Sequence, residues 1–110
     1  MIHYEDFSKV EIRVGTVVDV QEFPEARKPA WKLFIDFGPE VGRKKTSAQI
    51  THLYSKESLI GKQVIAVTNF PPKQIGSFLS EVLVLGLSNE KQEIVLVSPD
   101  QAVPNGQKLH

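Results

Sequence analysis

The chain has 110 residues, with 13 basic and 13 acidic side chains, a formal net charge of zero and no cysteine. This length fits one domain that buries roughly two-thirds of its unfolded surface, and the lack of cysteine excludes a disulfide scaffold or a thiolate metal site. The balanced charge argues against nucleic-acid binding through charge alone. We therefore predict one globular domain over residues 1–110.

The N-terminal segment MIHYEDFSKV carries acidic residues where a secretory signal peptide needs a basic start and an apolar run. No apolar stretch of the sequence reaches the length that is needed to span a bilayer. The sequence therefore predicts a cytoplasmic protein without membrane insertion.

Alternating apolar and polar residues predict strands along most of the chain. In VEIRVGTVVDV the even-numbered residues from Val10 to Val20 share one face, and Gly15 indicates a bend or a bulge. WKLFIDFG predicts the next strand, PEVG a hairpin turn and RKKTSAQI the partner strand. KQVIAVTNF, EVLVLGL and QEIVLVSP predict three more strands, all strongly apolar.

One short helix is predicted in THLYSKESLIG, ending at Gly61. Five or six short strands and one short helix predict an all-β fold, a small antiparallel barrel. The predicted inner layer of this barrel consists of Val14, Leu33, Ile35, Ile65, Val67, Val84 and Leu85. Three further aromatic residues are expected in the core, namely Trp31, Phe37 and Phe70.

No pattern in the sequence indicates catalysis. The three histidines, His3, His52 and His110, lack the spacing of metal ligands. The nucleophile elbow, the P-loop and the dinucleotide-binding fingerprint do not occur. We therefore predict a protein that is not an enzyme and needs neither a metal nor another cofactor.

Phe34 shares the outward face of its predicted strand with Lys32 and Asp36. An aromatic side chain between charged neighbours on a barrel face is able to stack a base or to hold an apolar side chain. Packing against a loop or a second subunit explains the same pattern equally well. Both interpretations stay open.

The segment NFPPKQIGSFLSEVLVLGL connects two apolar strands through about ten residues that are rich in proline, glycine and polar side chains. The prolines at 71–72 end the first strand because they remove backbone donors. Lys73 is expected above the barrel mouth while Ile75 or Phe78 anchors the segment. A lysine together with the hydroxyl of Ser80 suits phosphate and ribose groups, and suits peptide carbonyls equally well.

Three stretches, EIRVGTV (11–17), LIGKQVIAVTNFPPKQIGSFLSEVLVL (59–85) and VPNG (103–106), resemble the tRNA-binding domain family of OB-folds. FPEARKPAWKL and KTSAQIT are most similar to one branch, the CsaA-type export-related chaperones. This resemblance implies that the predicted barrel is a five-stranded OB-fold. It also implies a cytoplasmic homodimer that binds unfolded or exported polypeptides and assists secretion, with tRNA as the ligand that the wider family implies.

Two classes of binding function therefore stay open, and the sequence favours the first. A chaperone would bind peptide through apolar side chains, namely Trp31, Phe34, Ile75 and Phe78. A structure-specific tRNA-binding protein would use polar and basic side chains, namely Lys32, Lys45, Ser47, Gln49, Lys73 and Ser80. Apolar strands remain after one small barrel is filled, which predicts a homodimer with an interface at Ile2, Tyr4, Phe7, Val103 and Pro104.

Overall fold

The computed structural model describes residues 1–110. The strands are β1 (Ile12–Glu22), β2 (Trp31–Asp36), β3 (Arg43–Ala48), β4 (Gln63–Val67), β5 (Lys73–Ile75), β6 (Phe78–Ser80), β7 (Leu83–Val84), β8 (Gly86–Ser88) and β9 (Ile94–Leu96). The helices are α1 (Tyr4–Ser8), α2 (Gly38–Val41) and α3 (Lys56–Leu59), of which the sequence predicted α3 alone. None of the helices has the length and apolar character to cross a membrane.

Five antiparallel strands form the main sheet, in the order β3-β2-β1-β4-β7. The sheet curls into a nearly closed barrel, because the N–H of Glu81, just before β7, donates to the carbonyl of Lys45 on β3 (2.8 Å). Two hairpins, β5–β6 and β8–β9, form separate two-stranded sheets beside the barrel. The predicted five-stranded antiparallel barrel is confirmed.

A bulge in β1 changes which of its side chains face the barrel interior. The register against β2 shifts between Val17 and Asp19. Val17 and Val20 are buried in the core, whereas Val18 is 38% exposed. The prediction that the even-numbered residues of β1 share one buried face is therefore wrong at Val18, because an inserted residue reverses the alternation of a strand.

The main core fills the barrel. Its buried members are Val17, Val20, Leu33, Ile35, Phe37, Ile50, Leu59, Val64, Ala66, Val82 and Leu96. The predicted inner layer is right for Leu33 and Ile35, and Val84 packs against this cluster. Val14, Ile65 and Val67 are also buried but lie outside it, and Leu85 is half-buried.

Residues 106–109 cover the other edge of the first half of β1. Val14 donates its N–H to the carbonyl of Gln107 (3.1 Å) and accepts from the N–H of Gly106 (2.8 Å). Leu109 donates to the carbonyl of Ile12 (2.8 Å). The C-terminal segment thus acts as an added strand. In its first half β1 therefore has β4 on one edge and the C-terminal segment on the other. This explains why Val14 is buried although it does not face the barrel interior.

An ion pair reinforces this contact. Arg13 Nε donates to Glu11 Oε1 at 2.7 Å, and Arg13 also donates to the carbonyl of Gly106 (2.9 Å). The hydrogen bond from Arg13 lowers the pKa of the Glu11 carboxyl, and the same bond raises the pKa of the guanidinium. Both shifts favour the charged forms, and the bond from Arg13 to Gly106 ties β1 to the C-terminal segment.

Candidate binding surface

The outer face of β2 and β3 carries the polar and aromatic side chains that the sequence singled out. Lys32 lies directly opposite Ser47, and Phe34 lies opposite Lys45. Directly opposed side chains on one face of an antiparallel pair lie close together. The β2–β3 ladder therefore places two lysines, one aromatic ring and one hydroxyl on a single patch.

The β5–β6 hairpin folds back onto this patch. Phe78 is 7% exposed and forms a small second core with Phe23 and Ala30, against which Phe34 and Ile75 pack. The rings of Phe23 and Phe78 lie 5.4 Å apart in a tilted arrangement. This second core attaches the hairpin to the outer face of the barrel.

Two lysines cover the exposed side of the second core. Lys32 Nζ lies 4.9 Å from the ring centroid of Phe23 and 5.2 Å from that of Phe78. Lys45 Nζ lies 5.4 Å from the centroid of Phe78. Ammonium groups at such distances are attracted by the negative face of an aromatic ring. The rings therefore hold two positive charges at the surface beside the hairpin.

The long connection is thus a hairpin rather than an irregular loop. Ile75 pairs with Phe78 across a two-residue turn in which Gly76 has a φ of +59°, a conformation that favours glycine. Before the hairpin, the side-chain amide of Asn69 accepts from the N–H of Glu11 (2.9 Å) and donates to the carbonyl of Lys9 (2.8 Å). Lys73, on the first strand of the hairpin, is exposed.

A basic groove lies between the hairpin, β3 and the loop that joins β1 to β2. Its volume is about 560 Å³. The lining residues are Phe23, Ala26, Arg27, Lys28, Ala30, Ser47, Gln49, Lys73, Gln74 and Ile75. This lining includes three basic side chains and no acidic one, so the groove favours a ligand with negative charge.

A second groove, the edge groove, follows the free edge of β3 and has a volume of about 470 Å³. Its lining residues are Thr46, Ser47, Ala48, Gln49, Ile50, Lys73, Ile75, Ser80, Val82, Leu83, Val84, Gly86, Ile94 and Leu96. The lining is mostly apolar and includes Lys73 as its single charged side chain. The two grooves share four residues, Ser47, Gln49, Lys73 and Ile75, so they form one continuous surface.

Hydrogen bonds fix the wall between the hairpin and β3. The Thr46 hydroxyl donates to the carbonyl of Val82 (2.7 Å) and lies 2.8 Å from Ser80 Oγ. The carboxylate of Glu81 accepts from the N–H of Lys45 (3.0 Å). Thr46 is a buried polar residue, and these bonds satisfy its hydroxyl, so the wall has a defined shape.

The structure gathers the polar candidates more closely than the apolar ones. Ser47, Gln49 and Lys73 line both grooves, and Ser80 lines the edge groove. Of the four apolar candidates, Ile75 lines a groove, whereas Phe34 and Phe78 belong to the second core. The fourth, Trp31, packs against the main core and donates its indole N–H to the carbonyl of Tyr54 (2.9 Å).

Two groove residues, Arg27 and Lys28, were not among the candidates. They lie in the loop between β1 and β2, and both are exposed. The excess of basic residues between positions 26 and 45 was the signal that could have identified them.

The residues of the predicted dimer interface lie along the N- and C-terminal segments. Tyr4 and Phe7 border a cavity of about 190 Å³ together with Leu109. Val103 and Pro104 border a second cavity, of about 360 Å³, which Leu109 also lines. Since Leu109 belongs to both cavities, these predicted residues occupy neighbouring parts of one surface.

Residues 12–108 match the family described as "Putative tRNA binding domain". The chain belongs to this tRNA-binding domain family. Among solved structures, the chaperone CsaA of Bacillus anthracis strain Ames is 52% identical, with 100% of this chain and 99% of that chain covered and a TM-score of 0.93. The CsaA chaperone of Picrophilus torridus is 54% identical, with both chains fully covered and a TM-score of 0.93. The predicted resemblance to CsaA-type members of the family is confirmed.

The family also includes domains of much larger proteins. The methionine–tRNA ligase of Flavobacterium johnsoniae is 33% identical over 106 residues, which are 96% of this chain and 14% of that ligase. This chain spans 14 to 16% of the length of such curated relatives. The similarity to the ligases therefore concerns a small part of each ligase.

Proposed function

We propose that this protein is a non-catalytic, CsaA-like chaperone that binds unfolded or exported polypeptides in the cytoplasm and assists their secretion. The observation that carries the proposal is the similarity to two CsaA chaperones along the full length of all the chains, at 52–54% identity. The similarity to the ligases is weaker and is confined to a small part of each ligase. The activity of a whole ligase is therefore no part of the proposal.

The edge groove is the proposed polypeptide site. It is open to solvent, mostly apolar, and bordered by Ile75 from the hairpin and by Leu83, which is half-exposed. Unfolded chains expose apolar side chains, and burying these against such a wall is favourable. In this proposal Trp31, Phe34 and Phe78 contribute indirectly, because they hold the strands and the hairpin that form the walls.

The Ile75→Ser variant tests this site. Because the substitution removes apolar surface from the groove, we expect it to raise the protein concentration that half-suppresses client aggregation about threefold or more. The measurement is light scattering during dilution of urea-denatured client protein. Leu53→Ser is the matched control, since Leu53 is an exposed apolar residue that lines neither groove. Equal suppression by both variants and the unsubstituted chain would contradict the proposed site.

The proposed chaperone is a homodimer. Ile2 and Tyr4 are exposed at the N terminus, and Val103 is partly exposed near the C terminus. Exposed apolar side chains that occupy neighbouring parts of one surface are typical of a protein–protein interface. We therefore place the subunit contact on this surface, at the residues that the sequence predicted.

A second function, tRNA binding, is supported by the basic groove. Arg27, Lys28 and Lys73 line it, no acidic side chain is part of the lining, and Ser47 and Gln49 supply hydrogen-bonding groups. Lys32 and Lys45, held over the rings of the second core, add positive charge beside the hairpin. Phosphate contacts would position the nucleic acid, and hydroxyl and amide groups would contact ribose or bases.

The salt dependence of tRNA affinity tests this second function. Replacing Lys73 with Gln removes one phosphate contact, so the slope of log affinity against log salt should decrease by about 0.7–0.9. Fluorescence anisotropy with labelled bulk tRNA, between low and moderate salt, measures this slope. Lys91→Gln is the control, because Lys91 lies in the β8–β9 turn away from both grooves. An affinity that does not change with salt would exclude the basic groove as the tRNA site.

A further inference from the structure

The free edge of β3 presents main-chain groups to the edge groove. In an antiparallel ladder, hydrogen-bonded and non-hydrogen-bonded pairs alternate. The N–H of Phe37 donates to the carbonyl of Gly42, so this pair is a hydrogen-bonded one. Hydrogen-bonded and non-hydrogen-bonded pairs alternate from there along the β2–β3 ladder. It follows that the N–H and C=O groups of Arg43, Lys45 and Ser47 point away from β2.

The outward main-chain groups of Lys45 already have partners, because the backbone and the carboxylate of Glu81 bond to them. Two residues further along β3, the outward main-chain groups of Ser47 have no comparable partner. Its carbonyl receives only a long contact of 3.4 Å from the Thr46 hydroxyl. One outward-facing N–H and one C=O therefore remain available on the wall of the edge groove.

The wall of the edge groove opposite β3 is β7, and it also presents main-chain groups to the groove. Leu85 donates its N–H to the carbonyl of Ile65, so the neighbouring pair of Val84 and Ala66 is the non-hydrogen-bonded one. The main-chain groups of Val84 thus point away from β4, and Val84 lines the edge groove. Outward main-chain groups of Ser47 on β3 and of Val84 on β7 thus both belong to residues that line the edge groove.

We propose that an extended polypeptide lies along the edge groove as an added strand on β3, with its main chain bonded at Ser47. This inference rests on the proposed chaperone function and names what the site recognises, which is an unpaired, proline-free segment in the extended conformation. Main-chain hydrogen bonds supply the affinity in such strand addition, while pockets for alternate side chains set a loose preference. Alternate side chains of the guest would contact Ile75, Leu83 and Ile94.

Main-chain recognition suits a chaperone, because every unfolded chain carries the same backbone groups whatever its sequence. Lys73 is the only charged residue in the lining. A guest segment that carries an acidic side chain next to its apolar ones should therefore bind more tightly than one without it. A folded client would not bind, since its backbone groups already have partners.

Modified peptides provide the first arm of the test. The probe is a fluorescein-labelled ten-residue peptide of alternating valine and threonine with one glutamate at each end. N-methylation of every residue between the two glutamates removes the backbone donors from both edges of the extended peptide, and we expect it to weaken binding at least about tenfold. The control peptide gains methyl groups on its side chains instead, by substitution of every valine with isoleucine, and should bind as well as the parent.

Three variants of the protein provide the second arm. Ser47→Pro removes the outward N–H without breaking a β2–β3 bond and should weaken peptide binding at least about tenfold. Ser47→Ala keeps the N–H and removes only the hydroxyl, so it should weaken binding clearly less than Ser47→Pro. Arg43→Pro removes an equivalent outward N–H outside the groove, and should also bind normally. Thermal unfolding by circular dichroism shows whether the variants fold, and the peptide arm decides the question if Ser47→Pro does not.

The outcomes separate this inference from the proposed function. Equal binding of the N-methylated and parent peptides would overturn strand addition and leave the chaperone function standing. An equal loss for Ser47→Ala and Ser47→Pro would also overturn it, because the hydroxyl would then be the recognised group. If the unsubstituted chain binds no peptide and suppresses no aggregation, the proposed function itself fails.

Discussion

Gly15 lies on the concave face of β1, where core side chains occupy the space that a larger residue would need. A Cβ atom at this position would lie 2.6 Å from Ile35 Cγ2 and 2.8 Å from Phe37 Cδ1. Both neighbours are fully buried and have little room to move. The glycine therefore lets the strand curve closely around the core.

We expect Gly15→Ala to lower the free energy of unfolding by about 1–3 kcal/mol, because the added methyl group overpacks the core. The gain from restricting the unfolded chain, about 0.4–1 kcal/mol, is smaller. Urea denaturation followed by circular dichroism measures the change. Val18→Ala on the same strand is the control, and its effect should be small because Val18 is partly exposed. Unchanged stability in Gly15→Ala would contradict this description of the barrel wall.

At the scale of elements, the β5–β6 hairpin has one buried side chain that attaches it to the barrel, while Ile75 packs only partly buried beside it. A two-stranded hairpin alone is at best marginally stable in water. Phe78 is the buried residue of the hairpin, a member of the second core, and Lys32 and Lys45 lie over its ring. Removing this ring should therefore release the hairpin while leaving the main core, in which Phe78 takes no part, in place.

We expect Phe78→Ala to speed amide hydrogen exchange in residues 73–80 by at least about tenfold, because opening the hairpin then costs less free energy. Hydrogen–deuterium exchange with mass spectrometry resolves this segment. Phe70→Ala is the matched control, since Phe70 is also an aromatic residue of this connection but is 52% exposed. If both variants exchange alike, Phe78 does not hold the hairpin.

The sequence predicted the positions of the main strands because alternation reports a strand with one buried face. It predicted the faces less well. Ile65 and Val64 are adjacent and both buried, since the C-terminal segment covers one side of β4 and the barrel core the other. The expectation that Phe70 lies in the core is wrong, since its side chain is 52% exposed. The expectation rested on apolar character alone, whereas the prolines that follow Phe70 direct the chain away from the barrel. EVLVLGL forms two short strands rather than one.

The candidate site shows the same limit. Ser47 and Lys73 could be predicted as polar residues with no role in the barrel core. The burial of Phe34 and Phe78 depends on the hairpin folding back over a strand more than thirty residues away, and local pattern carries no information about such a contact. The ladder alternation at Ser47 likewise becomes visible only once the pairing of β2 and β3 is known.

At the scale of the whole molecule, the proposed homodimer predicts a mass of about twice 12.3 kDa by light scattering at micromolar concentration. Tyr4→Asp should shift this mass toward the monomer, because an unpaired carboxylate within an apolar contact is costly. Ile60→Asp is the control, since Ile60 is exposed next to α3 and lies outside the predicted interface. A monomeric mass for the unsubstituted chain would exclude the homodimer.

The contact between β1 and residues 106–109 determines when one edge of β1 can become paired during synthesis. The backbone of residues 12–14 leaves the ribosome early, yet the partners of this edge are made more than ninety residues later. Until then this end of β1 is an open strand edge, able to pair with another chain. Contacts between such distant parts of a chain form slowly, because a long loop must close first. The nascent protein is thus exposed to misassociation until residues 106–109 have paired with β1.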